Sequence, residues 1–150
     1  MRGKDILTIF VAGVIQGSCK GTDICDQSYR VKLTSLLRNA MPEANVFCGV
    51  EEYPGSPFYE EEKARNAFFD LMLRAEKADV VVAYLPQASL GTAIEIWQAH
   101  KANRKVFTIS PMTENWVIKF LADRNFTSIE AFEEFVKTGE FENTILRSVS

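Results

Sequence analysis

The sequence predicts an α/β fold, a doubly wound five-stranded parallel sheet of the flavodoxin-like or Rossmann-like kind, with helices on both faces. Three observations carry this. Short runs of Val, Ile, Ala and Phe recur without polar alternation, as in strands buried on both faces. Stretches with apolar residues at helical spacing lie between them. Strand and helix alternate about five times, as a parallel sheet with right-handed crossovers requires.

The elements follow in order. Residues 6–12 (ILTIFVA) form the first strand, which Gly13 ends. Residues 13–25, rich in Gly, Ser, Thr and Cys, form a long loop. Asp26 caps the next helix, whose buried side is Val31, Leu33, Leu36 and Leu37. Met41-Pro42 stops it, because proline cannot continue a helix. Residues 45–50 are the second strand, and the acidic stretch 51–57, with Pro54, Gly55 and Pro57, is a surface loop. A helix over 59–77 places Ala64, Ala67, Phe68, Leu71 and Ala75 on one side. Residues 78–84 (ADVVVAY) are the clearest strand. Helix 92–103, strand 105–109, a helical segment 113–121, a short strand near Phe126 and a helix over 128–137 complete the domain. Residues from about 140 read as a tail.

A chain of 150 residues is the usual size of one domain and needs no disulfide or metal to fold. The net charge of −3 and the absence of a basic run argue against polymeric nucleic acid as a partner. A small phosphorylated ligand stays open, since a helix start and one or two basic groups suffice for it. The three cysteines match no zinc pattern, and His100 is the only histidine, so no metal and no cofactor is expected. The apolar run near the N-terminus is too short for a signal peptide or membrane span, and a cytoplasmic protein is expected.

In sheets of this kind ligands sit beyond the carboxyl ends of the strands. Two loops are thereby singled out, 13–25 and 85–91. The second leads into Ser89-Leu90-Gly91-Thr92-Ala93-Ile94-Glu95. Glu95 has two readings. Thr92-x-x-Glu95 is a capping box, in which the carboxylate only satisfies the helix start. Alternatively a carboxylate near helix-start amides is placed to attack an electrophilic carbon, with Gly91 allowing close backbone approach. The first loop, with Gly13, Gln16, Gly17, Ser18, Lys20 and Gly21, is either a plain surface loop or a cradle for sugar or phosphate in which Ser18 and Lys20 donate. It is neither a Walker loop nor a dinucleotide fingerprint. Asp70 either faces water or supplies a second carboxylate. Asp79, at the amino end of a strand, reads as structural.

Phe10-Val11-Ala12-Gly13, Ala78-Asp79-Val80-Val81-Val82-Ala83, Ser89 through Glu95, and Asn103-Arg104-Lys105-Val106-Phe107 together resemble the nucleoside 2-deoxyribosyltransferase superfamily over residues 6–120. The Ser-Leu-Gly-x-x-x-Glu block is nearest to the 2′-deoxynucleoside 5′-monophosphate N-glycosidases. The resemblance implies that Glu95 is the nucleophile and that Ser89 and Gly91 hold a phosphate. It implies that Gly13 to Gly17 wrap the sugar and that Asn115 reaches across a subunit interface of a homodimer or larger homo-oligomer. Asp70 stands one position out of register with the family's second acid. Gln16 stands where the monophosphate branch has arginine, with Lys20 or Arg30 as substitutes, and Trp97 stands where glycine is frequent. The implied reaction is cleavage or transfer at the N-glycosidic bond of a nucleoside or nucleotide through a covalent glycosyl-glutamate. Two other readings compete: a non-catalytic nucleotide-binding module, and a phosphoribohydrolase of the cytokinin-activating type. The latter normally has a Gly-Gly pair before its Gly-Thr-x-x-Glu, which residues 86–90 (PQASL) lack.

Overall fold

The computed structural model describes residues 5–149. Five strands, β1 (Thr8–Gly13), β2 (Asn45–Cys48), β3 (Val80–Tyr84), β4 (Lys105–Ile109) and β5 (Arg124–Phe126), form one parallel sheet in the order β2-β1-β3-β4-β5. The order reverses between β1 and β3, and register pairs Gly13 with Tyr84 at their carboxyl ends. Asp79, just before β3, accepts the Thr8 amide at 2.9 Å and so ties the amino ends of the two strands together.

The period-two geometry of a strand sends alternate residues to opposite faces, and both faces are covered. Ile9, Val11, Val80, Val82, Phe107 and Ile109 point to one side. They pack under α1 (Ser28–Ala40), α6 (Ile129–Lys137) and α7 (Glu140–Val149). Phe10, Ala12, Val81, Ala83 and Val106 point to the other side. There they meet α3 (Glu61–Lys77), α4 (Leu90–Lys101) and α5 (Trp116–Leu121). This is the doubly wound arrangement. Among the described residues, no helix is long and apolar enough to cross a membrane.

Several boundaries differ from expectation. Residues 140–149 are not a tail but helix α7. Phe141 and Ile145, one turn apart, are fully buried, and the Phe141 ring packs 5.5 Å from Phe107 and 5.7 Å from Phe132. β2 stops at Cys48, and the expected surface loop contains a short helix, α2 (Gly49–Glu52), and a 3₁₀ turn (Ser56–Phe58). In α1 the buried stripe is Tyr29, Arg30, Leu33, Thr34 and Leu37, so Val31, about 200° around the helix from Tyr29, is exposed. Phe68 likewise keeps much of its ring in solvent. Asp26 acts one residue earlier than a standard cap: Gln27 holds the cap position, and Asp26 accepts the Ser28 amide at 3.1 Å.

The aromatic cluster under α7 generates a prediction. Phe141→Ala should lower unfolding free energy by about 3–5 kcal/mol, the usual cost of emptying a buried phenylalanine site. Urea denaturation checks it, and a loss well under 1 kcal/mol would return residues 140–149 to the status of a tail.

Candidate functional site

The site is built where β1 and β3 end. β1 finishes at Gly13 against the Tyr29 ring. A Cβ at Gly13 would lie 2.8 Å from the Tyr29 ring carbons, so only glycine allows this approach. The Tyr29 hydroxyl donates to the Val14 carbonyl at 3.1 Å, and its ring sits 4.4 Å from that of Tyr84 at the end of β3. Burial holds the Tyr29 phenol well above its usual range, so the hydroxyl stays a donor.

Beside Tyr29 lies Arg30, buried at 5% exposure. Its Nη2 donates to the Gly13 carbonyl at 3.0 Å, its Nε to Gln27 Oε1 at 2.7 Å, and its Nη1 to Cys48 Sγ at 3.6 Å. Gln27 then donates to the carbonyls of Val14 (3.1 Å) and Cys25 (2.8 Å). One arginine and one glutamine thus pin the two ends of the first loop to the carboxyl ends of β1 and β2.

The loop itself turns on Gly17, whose φ of 53° is in the left-handed region; a Cβ there would lie 3.1 Å from Val14 and Cys25 and 3.2 Å from Gln87. Gln16 lines a cleft of about 440 Å³ together with Ile15, Gly49, Tyr53, Ala67 and Phe68. A second cavity, of about 360 Å³, opens between the β1 and β3 loops beside Val14, Tyr29, Tyr84 and Gln87. Ser18 and Lys20 are exposed on the first loop.

Helix α4 begins at Leu90, not at Thr92. Ser89 is its cap, accepting the Thr92 amide at 3.3 Å, and the Ser89 and Thr92 hydroxyls lie 2.9 Å apart. The capping-box reading of Glu95 is therefore corrected. Glu95 stands six residues beyond the true cap and makes no hydrogen bond to the helix start. Gly91 faces open space, with nothing within 4 Å of where its side chain would be. Part of Glu95 is exposed, yet burial pushes its carboxyl from the usual 4.5 to about 8, against the opposing pull of Arg30. Among the described residues no hydrogen bond or ion pair holds this carboxyl, and it lines neither cavity.

Asp70 has different surroundings. It accepts the Tyr53 hydroxyl and pairs with Arg74 at 2.7 Å; Tyr53 first and Arg74 second hold its carboxyl below the usual range. It is an ionised partner of Tyr53, which lines the larger cleft, and it shares no bonding partner with Glu95. Asn115 caps α5, its side chain accepting the Val117 amide at 3.0 Å. The residues that sequence reasoning passed over are Tyr29, Gln27, Tyr53 and Tyr84, together with the buried role of Arg30. A tyrosine on a helix stripe carries no signal separating a site wall from core.

No family model and no curated protein matches this chain. Solved structures do. A 2-deoxyribosyltransferase from the psychrotolerant bacterium Bacillus psychrosaccharolyticus is similar, with a TM-score of 0.64 and 20% identity over 84% of this chain and 90% of that one. A conserved protein from Enterococcus faecalis V583 gives a TM-score of 0.63 and 17% identity over 89% and 99% of the two chains. At these identities the likeness is one of fold.

The raised Glu95 carboxyl makes stability depend on pH. The folded state holds this proton more tightly than the unfolded chain does. Its contribution is therefore full below 4.5 and is lost as pH rises through about 8. Glu95→Gln, which cannot ionise, should gain melting temperature relative to wild type as pH goes from 6 to 9. Parallel curves for the two proteins across that range would show that Glu95 titrates normally.

Proposed function

We propose that this protein breaks the N-glycosidic bond of a nucleoside or nucleotide, with Glu95 as nucleophile. The observation that supports it is the half-buried, otherwise unbonded carboxyl of Glu95 beyond the central strand, opposed by a buried arginine, in a fold shared with a 2-deoxyribosyltransferase. The Glu95 carboxylate attacks the anomeric carbon as the bond to the base breaks, giving a glycosyl ester. Water then releases the sugar, or a second base accepts it. The cleft beside Gln16, Tyr53 and Phe68 suits a planar base, and Ile15 and Gln16 of the loop Gly13 to Gly17 line it where the sugar would follow. Asp70 enters through the Tyr53 hydroxyl that it holds at the cleft wall. A 5′-phosphate would meet Ser89, the open space at Gly91 and the start of α4, with Lys20 adding charge.

The test is release of free base from a panel of nucleosides and their 5′-monophosphates. Glu95→Ala should abolish it while the fold persists. For wild type, kcat/KM should rise with pH up to about 8, because that ratio reports the ionisation of the free enzyme and attack needs the carboxylate. If Glu95→Ala keeps its activity, Glu95 is not the nucleophile. Nucleotide binding without base release would instead mark a binding module.

We also read the chain as a homo-oligomer. Adjacent helices α3, α4 and α5 expose Phe69, Leu73, Leu90, Trp97, Trp116 and Phe120, and the Trp116 and Phe120 rings sit 6.0 Å apart. Aromatic side chains of this kind are enriched at interface cores. A second copy covering this face would bring Asn115, at the start of α5, to a neighbour. Light scattering at micromolar concentration should give at least a dimer, which Trp116→Glu should dissociate; a wild-type monomer rejects the reading.

A further inference from the structure

Two of the three cysteines lie in the loop between β1 and α1, and the reaction proposed above uses neither. The Cys19 amide donates to the Gln16 carbonyl at 2.8 Å, and the Cys25 amide donates to the Ile15 carbonyl at 2.6 Å. Those carbonyls are neighbours in the chain. Residues 20–24 therefore make an exposed excursion whose two ends are pinned side by side, and the two sulfurs lie 3.8 Å apart. A disulfide needs about 2.05 Å, a movement that side-chain rotation and a surface loop can supply. Cys19 is exposed and Cys25 half-buried, while Cys48 is buried against Arg30.

We infer that Cys19 and Cys25 form a thiol-oxidation site that closes to an intramolecular disulfide when a hydroperoxide reaches the loop. Cys19, the exposed sulfur, reacts first. Its thiolate attacks one peroxide oxygen; the S–O bond forms, the O–O bond breaks, and the other oxygen leaves as water or an alcohol after taking a proton. The Cys25 sulfur then attacks the Cys19 sulfur; the S–S bond forms, the S–O bond breaks, and hydroxide leaves as water with the proton from Cys25. Two thiols thereby lose two electrons and two protons, and one peroxide bond accepts them. A dithiol reverses the change by exchange.

The consequence falls on the candidate site. Gln87 Nε2, on the loop after β3, donates to Cys25 Sγ at 2.9 Å, so this sulfur is where the two site loops touch. Oxidation draws it toward Cys19 and away from Gln87. The segment carrying Gln16, Ser18 and Lys20 is then restrained by a covalent ring from residue 19 to residue 25.

Trypsin cuts after Lys20 and so separates the two cysteines onto peptides 5–20 and 21–30. After stoichiometric hydrogen peroxide and alkylation, wild type should yield these two peptides joined, with a mass lower by two hydrogens, and dithiothreitol should part them. Cys25→Ser should stop at a sulfenic acid on Cys19 that dimedone traps, and Cys48→Ser should still link. Deuterium uptake across residues 16–25 should fall in the linked protein and recover on reduction. Unlinked peptides, a link through Cys48 or a link between molecules would each overturn the site, and unchanged uptake in the linked protein would overturn the restraint. These readouts need no substrate, so they stand or fall apart from the glycosidic reading.

Discussion

A buried guanidinium, with no carboxylate of the described residues in bonding distance, organises the carboxyl end of this sheet. Among the described residues, Arg30 donates to a backbone carbonyl, an amide oxygen and a cysteine sulfur. Taking a cation out of water costs several kcal/mol. Here the cost is offset piecemeal, by three hydrogen bonds, by the Tyr29 ring 5.1 Å from the guanidinium carbon, and by attraction to Glu95. The acceptors belong to the end of β1, the end of β2 and the residue before α1. A single side chain therefore fixes how the first loop leaves the sheet and how it returns. The Tyr29 packing that forces glycine at position 13 depends on the same helix turn.

The sequence showed the sheet and the two loops at its carboxyl edge because those follow from local pattern. β3 is a nearly unbroken apolar run and β4 keeps Val106, Phe107 and Ile109 around a single Thr108, as a parallel strand buried on both faces does. What it hid depends on tertiary geometry. Arg30 lies among ordinary helix residues, and nothing local distinguishes a buried arginine from a solvated one. In α1 the buried stripe includes Arg30 and Thr34, so apolar character alone points to Val31, which the structure exposes. Helix α7 hides for a related reason: its buried anchors, Phe141 and Ile145, are at helical spacing but lie in a mostly polar segment that reads by composition as a chain end. Glu95 was ambiguous because Thr92-x-x-Glu95 has capping spacing, and only the cap at Ser89 removes that reading.

The two faces of the sheet are finished differently. Under α1, α6 and α7, Phe107, Phe126, Phe132, Phe135 and Phe141 pack ring against ring. Across the sheet, α3, α4 and α5 put small residues such as Ala75 and Ala99 inward and leave large aromatic ones outward. Small inner residues let α4 lie close to β1, β3 and β4. That brings Glu95 toward the strand ends, while the outer aromatic rings are left for something other than the chain's own core.

Glu95 is poorly accounted for as a structural residue. Its burial without a hydrogen bond disfavours the charged form, and the pull of Arg30 does not cancel that, since the carboxyl still moves up to about 8. A glutamine of the same shape would cost the fold less at neutral pH. The chemistry proposed here gives the carboxyl a use that the fold does not. As a glycosidic bond breaks, positive charge grows on the sugar carbon. That charge favours the ionised carboxylate at the moment attack requires it. Where the Glu95 carboxyl is buried, the attraction is screened less than in open water. In the proposed reaction Arg30 would favour the ionised form before substrate arrives, and the developing sugar cation would complete the ionisation. Burial and a nearby buried arginine thus oppose each other at Glu95, with burial the larger effect, and a transition state of the right charge would tip the carboxyl toward its ionised form.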